Sequence, residues 1–273
     1  MAVYRDFNVA TLDAEYNLRA RVPEHVEFFS RWVAESAVVR RHLRCRLDVA
    51  YGRSAAETLD YFPAARKGAP LMVFIHGGFW RSLDKGDFSF LAPAYVDAGI
   101  GFISVNYALA PQAGIDAIVR DARLAIDWVC RNARKLEADP KAVFLSGHSA
   151  GAHLAAMAAT ERPVAGMCAV SGLYDLEPMR HIFLNEDLKL DAETARRNSP
   201  LHLPAPRGMP AILAVGADET SEFKRHQWEF AAAWRVARSV EVSACHHYSV
   251  LDALGDPDHG LFSTVLDMVD GRL

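Results

Sequence analysis

The sequence lacks the features that mark secreted, membrane-spanning and nucleic-acid-binding proteins. Charged residues already occur at positions 5 and 6, and no stretch approaches the ~18 consecutive apolar residues of a membrane span. Only four cysteines occur in 273 residues, and their wide spacing predicts neither a disulfide framework nor a CxxC motif. The formal net charge is −4, so no positive field attracts nucleic acid or anionic lipid. We therefore expect a cytoplasmic protein with a small-molecule partner and with no nucleic-acid or membrane partner.

Motifs for metals and for common cofactors are missing as well. The chain has no HExxH sequence, no paired cysteines and no Asp-rich loop, which are the usual sources of metal ligands. It also has neither the GxGxxG fingerprint of dinucleotide-binding folds nor the Gly-rich phosphate loop that ends in Lys-Ser or Lys-Thr. We therefore expect no metal and no cofactor.

Apolar residues make up 51% of the chain and form short runs between longer amphipathic stretches. Each run has the length of a strand and is bounded by Gly, Pro or polar residues. The runs cover residues 71–75, 101–105, 142–145, 166–170, 211–215 and 240–244, with a weaker one at 47–51, and the helix-like stretches cover 115–134, 150–160 and 221–238. This alternation predicts a single α/β domain over residues 1–273, with a mostly parallel central sheet and helices on both faces.

Two segments fall outside this alternation. Within the N-terminal segment 1–45, apolar residues of the stretch 24–41 recur at helical spacing, which predicts an amphipathic helix. That helix lies either over the mouth of a pocket or along one flank of the core. The interval 174–206 is longer than one crossover needs and contains four prolines, so short helices and loops are expected there, either shaping the pocket or forming a surface excursion.

The strongest chemical signal is the sequence Gly-His-Ser-Ala-Gly at residues 147–151. It follows an apolar run and opens an Ala-rich helix, which is the setting of a nucleophile elbow, a sharp turn that exposes a serine hydroxyl. The pattern predicts Ser149 as a nucleophile. His148 occupies the variable place of the motif, and His153 lies one helical turn further on, where packing beneath the elbow is the expectation.

A second signal, His-Gly-Gly-Phe-Trp at residues 76–80, follows the first strong run. Its glycines allow backbone N–H groups to approach a substrate oxygen, so we predict an oxyanion hole here. His76 is expected to fix this loop by hydrogen bonds rather than to carry a proton. The predicted donors are the N–H groups of Gly78 and Ala150, together with that of Gly77 or Phe79.

Partners for Ser149 follow in the order acid, then histidine, that this type of sheet requires. Asp218 and Glu219 follow the run before the last predicted helix, and His246 and His247 follow the last run. Position along the chain leaves both pairs open.

The loop at residues 76–80 resembles the HGGxW motif of kynurenine formamidases, a branch of the α/β-hydrolase superfamily. The resemblance covers most of the chain and includes residues 12–17, 171–178, 199–200 and 222–225. It implies Glu219 as the acid, with Asp218 as the alternative, and His247 as the base. Arg225-His226 departs from the Arg-Gln that is frequent in the family.

The resemblance also implies a function. The implied activity is that of an arylformamidase, which converts N-formylkynurenine to kynurenine and formate through an acyl-enzyme. Phe79 and Trp80 are then expected either to form an aromatic wall of the pocket or to pack in the core. A small-acyl carboxylesterase would use the same machinery, and a hydrolase fold that has lost catalysis would serve as a binding protein. A small-molecule ester or amide is the expected partner, and a homodimer is compatible with the sequence.

Overall fold

An eight-stranded sheet organises the computed structural model, which describes residues 1–236 and 238–273. The sheet order is β1-β2-β4-β3-β5-β6-β7-β8; β1 and β2 pair antiparallel with each other, as do β2 and β4, and the other pairs are parallel. The strands are β1 Arg46–Ala50, β2 Thr58–Phe62, β3 Ala69–Ile75, β4 Gly101–Val105, β5 Ala138–His148, β6 Gly166–Val170, β7 Ala211–Gly216 and β8 Arg238–Val242.

Helices connect these strands and also precede and follow them. They are α1 Val9–Tyr16, α2 Leu18–Arg21, α3 His25–His42, α4 Ala92–Asp97, α5 Ile115–Asn132, α6 Ala150–Ala159, α7 Asn185–Leu188, α8 Ala192–Arg197, α9 Ser221–Trp234, α10 Val250–Gly255 and α11 Gly260–Val269, with 3₁₀ turns at Lys85–Leu91, Pro178–His181 and Pro200–His202. None of the helices within residues 1–236 and 238–273 is long and apolar enough to cross a membrane.

Helices cover both faces of the sheet. Gly147 of β5 faces the start of α6, whereas Gly166 of β6 faces Met268 of α11. Gly166 pairs with Phe144, so these two residues face the same side of the sheet. Successive strand residues alternate between the two sides, and Gly147 comes three residues after Phe144, so it faces the opposite side. The two helices α6 and α11 therefore lie on opposite faces of the sheet. The predicted class, a mostly parallel α/β-hydrolase sheet between two helical layers, is confirmed.

The predicted runs became strands, with differences at their ends. The last one was predicted at 240–244 but pairs from Arg238 to Val242 along β7, so residues 243 and 244 belong to the turn that follows. The helix predicted over 221–238 ends at Trp234, and residue 237 within that range lies outside the described residues. The interval 174–206 holds only short helices and 3₁₀ turns.

The sheet register brings two loops side by side. Strands β3 and β5 are neighbours, and Ile75 at the end of β3 pairs with Gly147 near the end of β5. Parallel strands end at the same edge, so the loop after Ile75 and the turn after His148 emerge together. The candidate site is built at this edge.

Candidate active site

Ser149 occupies the sharp turn between β5 and α6. Its backbone angles are φ 57° and ψ −122°, a conformation that costs a non-glycine residue about 1–3 kcal/mol. The turn is held in place because Ser149 N–H donates to the carbonyl of Val170 on β6, at 2.9 Å. A Cβ at Gly151 would lie 1.9 Å from the carbonyl oxygen of Ile75, so the close approach of α6 to β3 requires glycine there.

The loop after β3 has an unusual backbone. Gly78, Phe79 and Trp80 have φ values of 104°, 50° and 58°, so three successive residues are left-handed. Two of them carry side chains, and the strain is offset by hydrogen bonds: Ser82 N–H donates to Gly78 O at 3.1 Å, and Ala110 N–H donates to Trp80 O at 2.8 Å. The loop is therefore fixed before any substrate arrives.

The N–H groups predicted to form an oxyanion hole are free. Those of Gly77, Gly78, Phe79 and Ala150 donate to no protein acceptor in the described part of the chain. A Cβ at Gly77 would lie 3.1 Å from Ser149 Cβ, so this loop borders the serine. The free N–H groups and the N-terminus of α6 favour negative charge beside Ser149.

Trp80 does not line the pocket; of the two places expected for it, the aromatic wall and the core, the structure supports the core. Its side chain is fully buried, and its Nε1–H donates to Nδ1 of His153 on α6 at 3.1 Å. The backbone at Trp80 turns the indole away from the cleft and into the core. Phe79, the other predicted wall residue, does line the pocket.

His153 completes this buried connection between the loop and α6. Its Nε2 lies 2.7 Å from the carbonyl oxygen of Asn198, which only accepts, so Nε2 carries the proton and Nδ1 accepts from Trp80. Burial lowers the pKa of His153 to about 4, which keeps the ring neutral. His153 therefore acts as a structural link.

His76 is equally buried and remains within its own loop. Its Nδ1 lies 2.8 Å from Gly77 O, its Nε2 lies 3.1 Å from Asn106 Oδ1, and its ring stacks on Tyr107 at 4.4 Å between centroids. Burial lowers the pKa of His76 below its usual value. No contact brings it to Ser149.

The structure brings Glu219, rather than Asp218, to a histidine. Glu219 Oε2 lies 2.7 Å from His247 Nδ1, and both side chains are almost entirely buried. The other carboxylate oxygen, Oε1, accepts from Gly216 N–H at 2.8 Å and from Ser171 Oγ–H. Asp218 is exposed, and its carboxylate accepts no hydrogen bond from the described residues, so its place as alternative acid is contradicted by this geometry.

His246 and His247 have different surroundings. His246 Nδ1 accepts from the N–H groups of Tyr248 and Ser249 at 3.2 and 3.3 Å, which makes it part of the turn. Nε2–H of His148 donates to the backbone carbonyl oxygen of His247 at 2.8 Å. The variable residue of the nucleophile elbow therefore fixes the backbone at His247. Burial lowers the pKa of His148 well below its usual value and leaves that ring neutral.

Ser149 and His247 line one pocket. Within residues 1–236 and 238–273, no hydrogen bond joins Ser149 Oγ to His247. Nε2 of His247 is the ring nitrogen that remains free, because Nδ1 is engaged by Glu219. Bonds of this kind are frequently long without substrate and tighten when substrate binds.

The walls of the pocket come from several parts of the chain. The N-terminal segment supplies Phe29 and Trp32 of α3 as well as residues 16–19, whereas the interval 174–206 supplies Phe183 alone. The remaining aromatic walls are Phe79 and Tyr248. The pocket is thus rich in aromatic side chains, with Ser149 at one side.

A buried polar network holds the N-terminal segment in this position. Tyr16 Oη donates to Glu222 Oε2 at 2.8 Å, and Arg225 donates to both oxygens of Glu222 at 2.8 Å. The next residue on α9, Phe223, places its ring 4.6 Å from that of His247. The network therefore joins the segment that lines the pocket to the helix that supports His247.

Sequence reasoning missed Tyr16, Tyr248 and Ser171 as parts of the site. Tyr248 follows His247 directly, and that position beside a candidate base was the one local signal that could have found it. Tyr16 and Ser171 reach the site only through contacts with residues more than 45 positions away.

The chain is similar to known hydrolases. The BD-FAE family model matches residues 59–195. Kynurenine formamidases of Danio rerio and Salmo salar are 31% and 30% identical to this chain, and each alignment covers 82% of this chain and 81% of the relative. A solved structure from Silicibacter sp. TM1040, provisionally described as a thioesterase, matches with a TM-score of 0.84 and 29% identity, over 93% of this chain and 98% of that chain.

Proposed function

The chain belongs to the BD-FAE family and to the kynurenine formamidase-like branch of the α/β-hydrolase superfamily, and on that premise we propose that this hydrolase uses a serine nucleophile. The proposed reaction removes a formyl or other small acyl group from an aryl amide. N-formylkynurenine is the proposed substrate, giving kynurenine and formate. The observation that carries the proposal is the Glu219–His247 hydrogen bond in the pocket that also contains the strained Ser149.

In the first half of the reaction, His247 Nε2 accepts the proton of Ser149 as the hydroxyl oxygen attacks the formyl carbon. The carbonyl oxygen becomes negative and accepts hydrogen bonds from the free N–H groups of Gly78 and Ala150, and from that of Gly77 or Phe79. Glu219 fixes the His247 tautomer and stabilises the imidazolium.

In the second half, the tetrahedral intermediate collapses. The carbon–nitrogen bond breaks, His247 gives its proton to the leaving arylamine, and a formyl ester remains on Ser149. Water then attacks this ester with His247 again as base, and formate leaves. The aromatic walls Phe29, Trp32 and Phe79 support an aryl leaving group.

The test is hydrolysis of N-formyl-L-kynurenine by the wild type, Ser149→Ala and Ser171→Ala, followed by the loss of substrate absorbance. We expect turnover in the wild type, none in Ser149→Ala, and reduced but measurable turnover in the Ser171 variant, which keeps the nucleophile. A fluorophosphonate probe should label the wild type at Ser149 and leave Ser149→Ala unlabelled. Absence of labelling would overturn the serine mechanism and favour a non-catalytic binding protein.

A small-acyl carboxylesterase is the second candidate. It is favoured by the solved structure provisionally described as a thioesterase, because thioesters and esters need the same acyl-transfer machinery. Specificity constants for N-formyl-L-kynurenine and 4-nitrophenyl acetate separate the two. An ester preference of several orders of magnitude would refute the formamidase assignment and retain the serine hydrolase.

A further inference from the structure

The charged side chains in the pocket wall are of one sign. The pocket is lined by Arg19 and Arg81, and no aspartate or glutamate of the described residues lines it. A neutral ester or amide gains little from such a wall, whereas an anionic group on the substrate is attracted to it. The charge distribution therefore carries information about the substrate beyond the reacting carbonyl.

The two arginines differ in what they already bind. Arg81 forms an ion pair with Asp187, with 2.7 Å between nitrogen and oxygen, and its guanidinium lies over the Phe183 ring. Arg19 has no carboxylate within ion-pair distance in the described part of the chain, and its guanidinium lies 5.7 Å from the centroid of the Phe29 ring. Arg19 is thus the arginine whose donors are available to a ligand.

Tyr248 supplies a second unused donor. Its side chain lines the pocket and is 6% exposed, yet its hydroxyl makes no hydrogen bond to any described residue. Burial raises the pKa of Tyr248 to about 12, so the phenol is protonated at neutral pH and donates. The Phe29 ring lies between the two residues: its centroid is 5.7 Å from the Arg19 guanidinium and 5.3 Å from the centroid of the Tyr248 ring.

We infer that Arg19 and Tyr248 form a subsite that binds a carboxylate away from the scissile bond, such as the α-carboxylate of the proposed substrate N-formylkynurenine. The inference rests on the proposed acyl-transfer function and narrows its substrates to anionic aryl amides and esters. A guanidinium and a phenol offer donors of the kind that carboxylate oxygens bind most strongly. Tyr248 is adjacent to His247, so a carboxylate held there orients the scissile carbonyl relative to the proposed base.

The test uses ester pairs that differ only in charge: 4-acetoxybenzoate against 4-acetoxybenzamide, and 3-(4-acetoxyphenyl)propionate against its propanamide. The two pairs differ in the distance between the ester and the carboxylate, so that one unsuitable distance does not hide the preference. We expect the wild type to prefer the carboxylate member of at least one pair by about tenfold or more in kcat/KM, and to lose part of that preference in added salt.

The ratio of the kcat/KM values within the preferred pair is then measured in three variants. Arg19→Met keeps the apolar stem and should reduce the ratio about tenfold, and Tyr248→Phe should reduce it severalfold. Arg21→Met is the matched control, since Arg21 lies on the same helix, is exposed and does not line the pocket; it should keep the wild-type ratio. An unchanged ratio in Arg19→Met, or no preference in the wild type, would overturn the subsite.

Failure of the proposed serine mechanism can be distinguished from failure of the subsite. If no pair is hydrolysed and a fluorophosphonate does not label Ser149, the serine mechanism fails, and the subsite is then tested by binding alone. Trp32 lines the pocket, so its fluorescence reports titration with 3-phenylpropionate. Saturable binding to the wild type that Arg19→Met weakens about tenfold would support the subsite, and equal binding to both would refute it.

Discussion

Two buried tryptophans allow the value of the Trp80–His153 hydrogen bond to be measured against an internal control. Trp80 and Trp32 are each at most 1% exposed. The indole N–H of Trp80 donates to His153, whereas that of Trp32 has no partner among residues 1–236 and 238–273. Replacement of each by Phe removes a similar volume from a similarly closed environment, so the packing losses largely cancel in the comparison.

The polar effects of the two replacements have opposite signs. Trp80→Phe leaves the buried Nδ1 of His153 without a donor, which costs about 1–3 kcal/mol. Trp32→Phe removes a buried donor that was never satisfied, which returns about 1–3 kcal/mol. We therefore expect Trp80→Phe to reduce the free energy of unfolding by at least ~2 kcal/mol more than Trp32→Phe.

The assay is equilibrium unfolding in urea at pH 7.5, with midpoint and slope fitted for both variants and the wild type. Equal destabilisation, or a larger loss in Trp32→Phe, would refute the reasoning. Trp80→Phe should also lower kcat, because the neighbouring left-handed loop carries the proposed oxyanion donors; the stability comparison does not depend on that second effect.

Further predictions concern the proposed acid, its hydrogen-bond donor and pH. Glu219→Gln should lower kcat by a factor of the order of 10⁴, as expected for loss of the acid in a triad, while Asp218→Asn stays near the wild-type value; similar losses in both would contradict the assignment. Ser171→Ala should lower kcat about fivefold, since one hydrogen bond to the carboxylate is lost, and a change confined to KM would argue against this positioning role. The free energy of unfolding should fall as the pH drops from about 6.5 to 4, because His153 stays neutral when folded and takes up a proton when unfolded; this contributes at most ~3 kcal/mol. Urea unfolding at pH 7, 6 and 5 measures how the free energy of unfolding depends on pH, and His153→Gln should weaken that dependence. An identical pH dependence in the variant would exclude the His153 contribution.

The central strands could be predicted because burial on both faces leaves a continuous apolar run. The runs at 101–105 and 166–170 were predicted to the residue. The strand Thr58–Phe62 was missed because Asp60 interrupts its apolar pattern. Asp60 is 1% exposed, and its carboxylate lies 3.3 Å from the ammonium group of Lys85, a partner that local sequence does not reveal.

Motifs predicted the places of Ser149 and His247, the proposed nucleophile and base, better than they predicted the walls of the pocket. The positions of Ser149 and His247 follow from strand ends, which are regular features of a parallel sheet. The direction of Trp80 depends on a left-handed backbone that its sequence context leaves undecided. The proposed subsite combines Arg19 and Tyr248 from distant parts of the chain, and only the folded structure brings both to one pocket.

The contact between Tyr16 and Glu222 spans 206 positions, and it has a consequence for the order of events during synthesis. A chain emerging from the ribosome at ~5–20 residues per second exposes Tyr16 of α1 for about ten seconds or more before α9 exists to receive it. His247, the proposed base, and Tyr248, which packs on Phe29 and Trp32, are released later still. A nascent chain halted before α9 therefore has Phe88 and Phe90 to pack against Trp32, but it lacks the partners of Tyr16 and the last wall of the pocket.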